Sequence, residues 1–244
     1  MTRISRPLLV AALVLASCGG GAAPQERGLT QDEADRLAAV LFTNHESKGA
    51  TFQLATSFTA TGDTLSMSGE VDWVNHQGHA MVNASGQENG VTEVFWSQST
   101  IVERRPRLDP LFAATGRAGV LYVARQPDTR TRQLDRAVSV LVGLASTVRD
   151  NGVLIMQKEG SAFMRNDTLR GAPVEVLRYG TQNRYWLDVG TSTMRRFDGN
   201  AAAGSAPIVI DVLESGERRI SPPPAGLVVP YGQVKELYDS DLSR

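Results

Sequence analysis

Between Thr51 and Trp96 apolar residues return at every second position in four successive short segments, with turn residues between the segments. Phe52, Leu54 and Phe58 alternate with polar neighbours over 51–58. Leu65, Met67, Val71 and Trp73 resume the pattern after Thr61-Gly62-Asp63. Ala80, Val82 and Ala84 follow a turn at 75–78, and 91–96 follows Glu88-Asn89-Gly90. A period of two sends successive side chains to opposite faces of a strand. The segments therefore read as antiparallel hairpins with one apolar face, and that face has to be covered.

Two helical segments are available to cover it. Thr30 precedes Glu33 by three residues, a capping-box spacing, and Leu37, Val40 and Leu41 share one helical face, so a helix is expected over about 31–42. A second is expected from the Asp128–Thr131 region to about Thr147, with Leu134, Val138, Leu141 and Val142 at helical spacing and Asn151-Gly152 as its stop. Between the two, Pro106 and Pro110 punctuate the chain. Strands are expected again at 152–158, 174–179, 185–189 and 207–213, and a short terminal helix at 231–238 after the proline run at 222–224. The order predicts an α+β fold, a curved antiparallel sheet with helices on one face.

The N-terminus has the three zones of a secretory signal: Arg3 and Arg6, an uncharged apolar run from Leu8 to Leu15, and Ala16-Ser17 before Cys18. The run is about half the ~20 residues that a spanning helix needs. The residues leading into Cys18 resemble the lipobox of bacterial lipoproteins. The expected organisation is a signal peptide over 1–17, a lipidated Cys18 opening a Gly/Ala/Pro tether over 18–29, and one domain over 30–238. The expected location is outside the cytoplasm, anchored to the cell membrane. Acyl chains contribute about 0.8 kcal/mol per buried methylene, so two or three of them make a stable anchor. Cys18 is the only cysteine among 244 residues. A disulfide framework is therefore excluded, and the domain must rely on an ordinary core. A net charge of −1 argues against a nucleic-acid partner.

Gly171-Ala172-Pro173-Val174-Glu175-Val176 resembles the Gly-x-Pro-Val strand entry of the actinobacterial half-barrel lipoproteins of the LppX/LprG type. Tyr185-Trp186-Leu187-Asp188-Val189-Gly190-Thr191 with Met194-Arg195-Arg196 resembles their Tyr-Trp-x-Asp hairpin. The wider group includes LolA and RseB, and the likeness spans roughly residues 30 to 230. It implies an unclosed half β-barrel with helices on the concave face and no catalytic residues. It also implies a concavity able to hold a lipid or glycolipid, or, as in RseB, a module that binds a membrane-protein partner. Phe52, Leu54, Phe58, Met67, Val71 and Trp73 are the candidate lining. They are core if helices cover them fully, and ligand contacts if the cover is incomplete.

Arg125, Arg130, Arg132 and Arg136 are candidate contacts to an anionic head group, since guanidinium pairs bidentately with phosphate. The alternative for them is a solvated loop and helix face. His76 and His79, with Asp72 nearby and His45 distant, fall short of the three or four ligands of a zinc site, so no metal is expected. No Gly-x-Ser-x-Gly elbow occurs. The chain is read as non-enzymatic, with no cofactor.

Overall fold

Thr30 opens the first helix through the reciprocal cap that its spacing predicts. Its hydroxyl accepts from the Glu33 N–H at 3.3 Å, and the Glu33 carboxylate accepts from the Thr30 N–H at 2.8 Å. The computed structural model describes residues 26–58, 62–200 and 206–242. Within them α1 spans Gln31–Glu46. It outruns the expected end at Phe42, and Asn44 in its last turn is buried, its side-chain amide donating to the Leu144 carbonyl at 2.7 Å. The signal, lipobox and most of the tether lie outside the described residues.

The strands are β1 (Gly49–Phe58), β2 (Asp63–Asp72), β3 (Gln77–Ala84), β4 (Glu93–Trp96), β5 (Ile101–Arg104), β6 (Tyr122–Arg125), β7 (Ala162–Leu169), β8 (Ala172–Tyr179), β9 (Asn183–Asp188), β10 (Met194–Asn200), β11 (Pro207–Ser215) and β12 (Val228–Pro230). They form one 12-stranded sheet in the order β12-β6-β5-β4-β3-β2-β1-β11-β10-β9-β8-β7. The pairings are antiparallel except that of β12 with β6. The long-range join is β1 with β11, where Leu54 faces Ile210 and Phe52 faces Val212, just past a register shift at Thr51/Phe52. The first strand thus sits mid-sheet, with each half of the chain extending it outward by hairpins. β12 and β7 remain at opposite edges, so the sheet is unclosed. The fold is α+β, in accord with a half-barrel. At the β7 edge Arg27 exchanges backbone bonds with Phe163, at 3.1 and 2.9 Å.

α1 and α3 (Gln133–Val142) cover one face. Leu37, Leu134 and Leu141 join Phe52, Leu54, Met67, Val71 and Trp73 in the main core. Trp73 is fully buried, and its indole N–H donates to the Leu141 carbonyl at 3.1 Å, which ties the sheet to α3. A satellite core of Leu108, Phe112, Val123, Val229, Val234 and Tyr238 lies where α2 (Asp109–Ala114), β6, β12 and α5 (Lys235–Leu242) meet. A third group, Val174, Val176 and Trp186, occupies the strand phase opposite Leu177.

Three expected elements differ. Residues 152–158, expected as a strand, form the short helix α4 (Gly152–Gln157): the Asn151 side chain caps the Val153 N–H, and Ile155 is drawn into the core under α1. The middle helix stops at Val142 rather than Thr147, because Gly143 takes the C-cap and Leu144 is needed beneath Asn44. The terminal helix runs over α5 rather than 231–238, since Tyr231–Gln233 tightens into a 3-10 turn after Pro230. Pro106 and Pro110, read only as punctuation, occupy first-turn positions of helical segments, where a missing N–H costs nothing. Among the described residues no helix is long and apolar enough to cross a membrane.

Candidate functional site

The hairpin β4–β5 sets the inward phase at its far end. Ile101 points into the core, so Glu103 and Arg105, two and four residues on, point the same way. β6 repeats this with Val123 and Arg125. The result is a cluster of charges beneath the sheet's edge. Glu88, Glu103, Asp135 and Asp241 face Arg105, Arg125 and Arg132, all buried, with one negative charge in excess.

Glu103 is the hub, with no exposed surface. Its Oε1 accepts from Arg125 Nε at 2.7 Å and Arg132 Nη2 at 3.2 Å. Its Oε2 accepts from Arg105 Nε at 3.0 Å and the Tyr238 hydroxyl at 2.6 Å. Arg125 also forks onto Asp135, with 2.6 Å to each oxygen. Arg132 pairs with Glu88 and donates to Tyr238 Oη at 2.7 Å. Arg105 reaches Asp241 at 2.9 Å. Burial alone would raise the Glu103 carboxyl, but the three guanidiniums outweigh it and hold it well below the ordinary carboxylate range. Burial would likewise lower Arg125 and Arg132, and their carboxylate partners raise them instead. Burial first, then the Glu103 charge, pushes the Tyr238 phenol up to about 12. Glu103, Arg125, Arg132 and Tyr238 therefore keep their ordinary charge states at neutral pH, and the network locks five separate chain segments together, at 88, 103–105, 125, 132–135 and 238–241.

Above this network a cleft of about 520 Å3 opens between β6, the 128–132 loop and α5. Arg125, Thr131, Arg132, Tyr231, Tyr238 and Leu242 are among its lining. The loop is organised by Asp128, whose carboxylate accepts from the Arg130 and Thr131 N–H groups and the Thr131 hydroxyl. The cleft thus joins aromatic surface to a prearranged charged floor, which suits polar recognition by a partner surface.

The arginines expected together at a head-group site are divided. Arg125 and Arg132 are bonded inward to carboxylates. Arg130 is exposed on the loop, and Arg136 clamps that loop through the Thr129 carbonyl at 2.8 Å. Of the candidate cavity lining, Phe52, Leu54, Met67, Val71 and Trp73 are each at most 2% exposed under the helices. Phe58 ends β1, and its side chain lies outside the described ones. The histidines are dispersed. His79 Nε2 meets Glu93 Oε1 at 2.8 Å on the other face, where Tyr122 also donates to Glu93 at 2.8 Å, while His45 sits beside Glu46 at the end of α1. Among the described residues no group of three or more metal-ligating side chains assembles. Sequence pattern does not mark Glu88, Asp135, Tyr238 or Asp241, and it shows Glu103 and Arg105 only as part of the charge run 103–107. The signal for an inward role of those two is strand phase, since Glu103 and Arg105 continue the inward series begun by Ile101.

The hairpin read from Tyr185 to Arg196 forms as β9–β10. Asp188 accepts from the Gly190 and Thr191 N–H groups, both at 3.0 Å, and from Arg195 at 3.0 Å. No family model and no curated protein matches the chain. Among solved structures, an uncharacterised conserved protein from Thermus thermophilus overlaps 77% of this chain and 97% of its own at 9% identity and a TM-score of 0.37. A chain of the Pseudomonas aeruginosa MucA/MucB complex overlaps 75% of this chain and 55% of its own at 11% identity and 0.32. A Vibrio parahaemolyticus domain named for outer membrane lipoprotein sorting overlaps 88% of this chain and 100% of its own at 8% identity and 0.33. Overlaps of this size carry nothing about what this chain binds.

Proposed function

We propose that this chain is a non-enzymatic, extracytoplasmic partner-binding module, held at the cell membrane by lipid on Cys18, with the cleft above the Glu103 network as its recognition surface. One observation carries the choice of partner over cargo: the apolar face of the half-barrel is filled by its own helices. Phe52, Leu54, Met67, Val71 and Trp73 are at most 2% exposed, and Trp73 is hydrogen-bonded to α3. An acyl chain would compete with the contacts these side chains already make in the core shared with α1 and α3. The cleft, by contrast, is open, and its charged floor is already paired and in place. A partner segment that brings polar and aromatic groups fits it, and a membrane protein's external segment is within reach of an anchored module.

Carriage of a lipid or glycolipid is the second reading, favoured by the apolar character of that same face. It requires α1 and α3 to part from the sheet. Native mass spectrometry on the Cys18→Ala form, purified from its host without detergent, separates the two. A bare protein mass is expected, and a discrete adduct that fragments as a lipid would overturn the proposal in favour of carriage. A photo-reactive residue at exposed Gln126, on the cleft rim, is expected to capture a discrete membrane-fraction protein in intact cells. Capture no better than from exposed Glu214 would remove the cleft from the reading.

A further inference from the structure

Four large apolar side chains stand in solvent around α4. Val153, Leu154 and Met156 are 48%, 63% and 42% exposed, and Val148 just before them is 68% exposed. Gly152 and Ile155 turn the buried side of this helix toward α1. At about 100° per residue the other three fan across its outer side. The seat is built for this orientation: Gly152 lies so close to Asp35 of α1 that no Cβ fits without displacement. A contiguous exposed apolar patch on a soluble domain marks a contact surface.

The position of the patch indicates what covers it. Arg178 Nη1 donates to Glu26, the first described residue, at 3.1 Å, and Arg178 Nε donates to the Gly160 carbonyl at 2.6 Å. Gly160 lies three residues beyond the end of α4. Tyr179, next to Arg178, is 37% exposed on the same rim. The chain therefore leaves the fold toward Cys18 beside the patch. Seven residues separate Cys18 from Glu26, eight steps along the chain, a reach of at most about 29 Å. A domain of this length is roughly 40 Å across. An acylated Cys18 thus holds this end of the molecule, and not the opposite one, against the bilayer.

We propose that α4 and its flanks, Val148, Val153, Leu154, Met156 and Tyr179, form an apolar wedge that seats in the phospholipid surface carrying the anchor and so fixes the orientation of the domain. The inference rests on acylation of Cys18, and the test separates the two. In the acylated protein Cys18 carries no free thiol, so Leu154→Cys supplies the only one. Met81→Cys, 54% exposed on the outer face of the sheet, serves as the reference. Each variant is purified from membranes, labelled with a polarity-sensitive dye and reconstituted into phosphatidylethanolamine/phosphatidylglycerol vesicles. The label at 154 is expected to shift to the blue and to lose most of its emission to nitroxide-bearing phospholipids, while the label at 81 keeps its emission. Equal quenching at both sites, or none at 154 in a chain whose intact mass carries the acyl groups, overturns the wedge alone. A chain whose mass carries no acyl group overturns the anchoring reading and the wedge with it.

Discussion

Replacing Glu103 by Gln leaves three guanidiniums around a fully buried amide. Breaking a buried ion pair from one side costs about 3–5 kcal/mol, so Glu103→Gln is expected to lower stability by roughly 3 kcal/mol, read as an earlier urea midpoint at unchanged slope. A second residue reports through pH. The hydrogen bond from Arg27, against the smaller effect of burial, draws the Glu33 carboxyl from its ordinary value near 4.5 down to about 2. A carboxyl lowered by folding contributes stability above its unfolded value and loses it as the pH falls through the folded one. The stability difference between wild type and Glu33→Gln is therefore expected to narrow from about pH 4.5 to pH 2. A difference that stayed constant in acid titration of the two proteins would contradict that assignment.

Between elements, close approaches decide which pairs form. Gly78 of β3 lies against the Trp96 ring of its neighbour β4, leaving no room for a side chain. Gly78→Val is expected to cost about 1–3 kcal/mol by overpacking and to raise amide exchange in β4 more than in β9; equal protection in both would place the strain elsewhere. The β7–β8 turn uses Arg170 and Gly171, both at positive φ, the geometry that matches a two-residue hairpin to the twist of its strands. This is why the Gly-Ala-Pro-Val stretch enters a strand so abruptly. α4 shows the converse. Its run of apolar residues reads as a strand from composition, yet the Asn151 cap and the close seat of Gly152 on α1 make it a helix.

Across the molecule, the open sheet has two edges and they differ. The β7 edge receives Arg27, and the other ends in the short strand β12, with α5 reaching the charged network through Tyr238 and Asp241. Ending the chain after Pro224 removes β12 and α5 and leaves Arg105 without Asp241 and Glu103 without the Tyr238 hydroxyl. Hydrogen exchange is then expected to rise across 101–105 and 122–125, while 162–212 keeps its protection. Uniform loss of protection would mean that the sheet unfolds as one unit.

Local pattern alone specified the hairpins, the first helix and the class of fold, because period-two and period-3.6 repeats are local and the capping box needs only three residues of spacing. Phe52, Leu54, Met67, Val71 and Trp73 were legible as one apolar face for the same reason. Whether that face held a ligand or a helix was not legible, since it depends on Leu134, Leu141 and Leu37 arriving from distant parts of the chain. The charged network was hidden more deeply. Glu103-Arg104-Arg105 looks like a solvated run until strand phase sends Glu103 and Arg105 inward, and their partners Arg132, Tyr238 and Asp241 come from distant parts of the chain. Those partners arrive only through the assembled fold, and without them a buried charge at any of these positions would be too costly to keep.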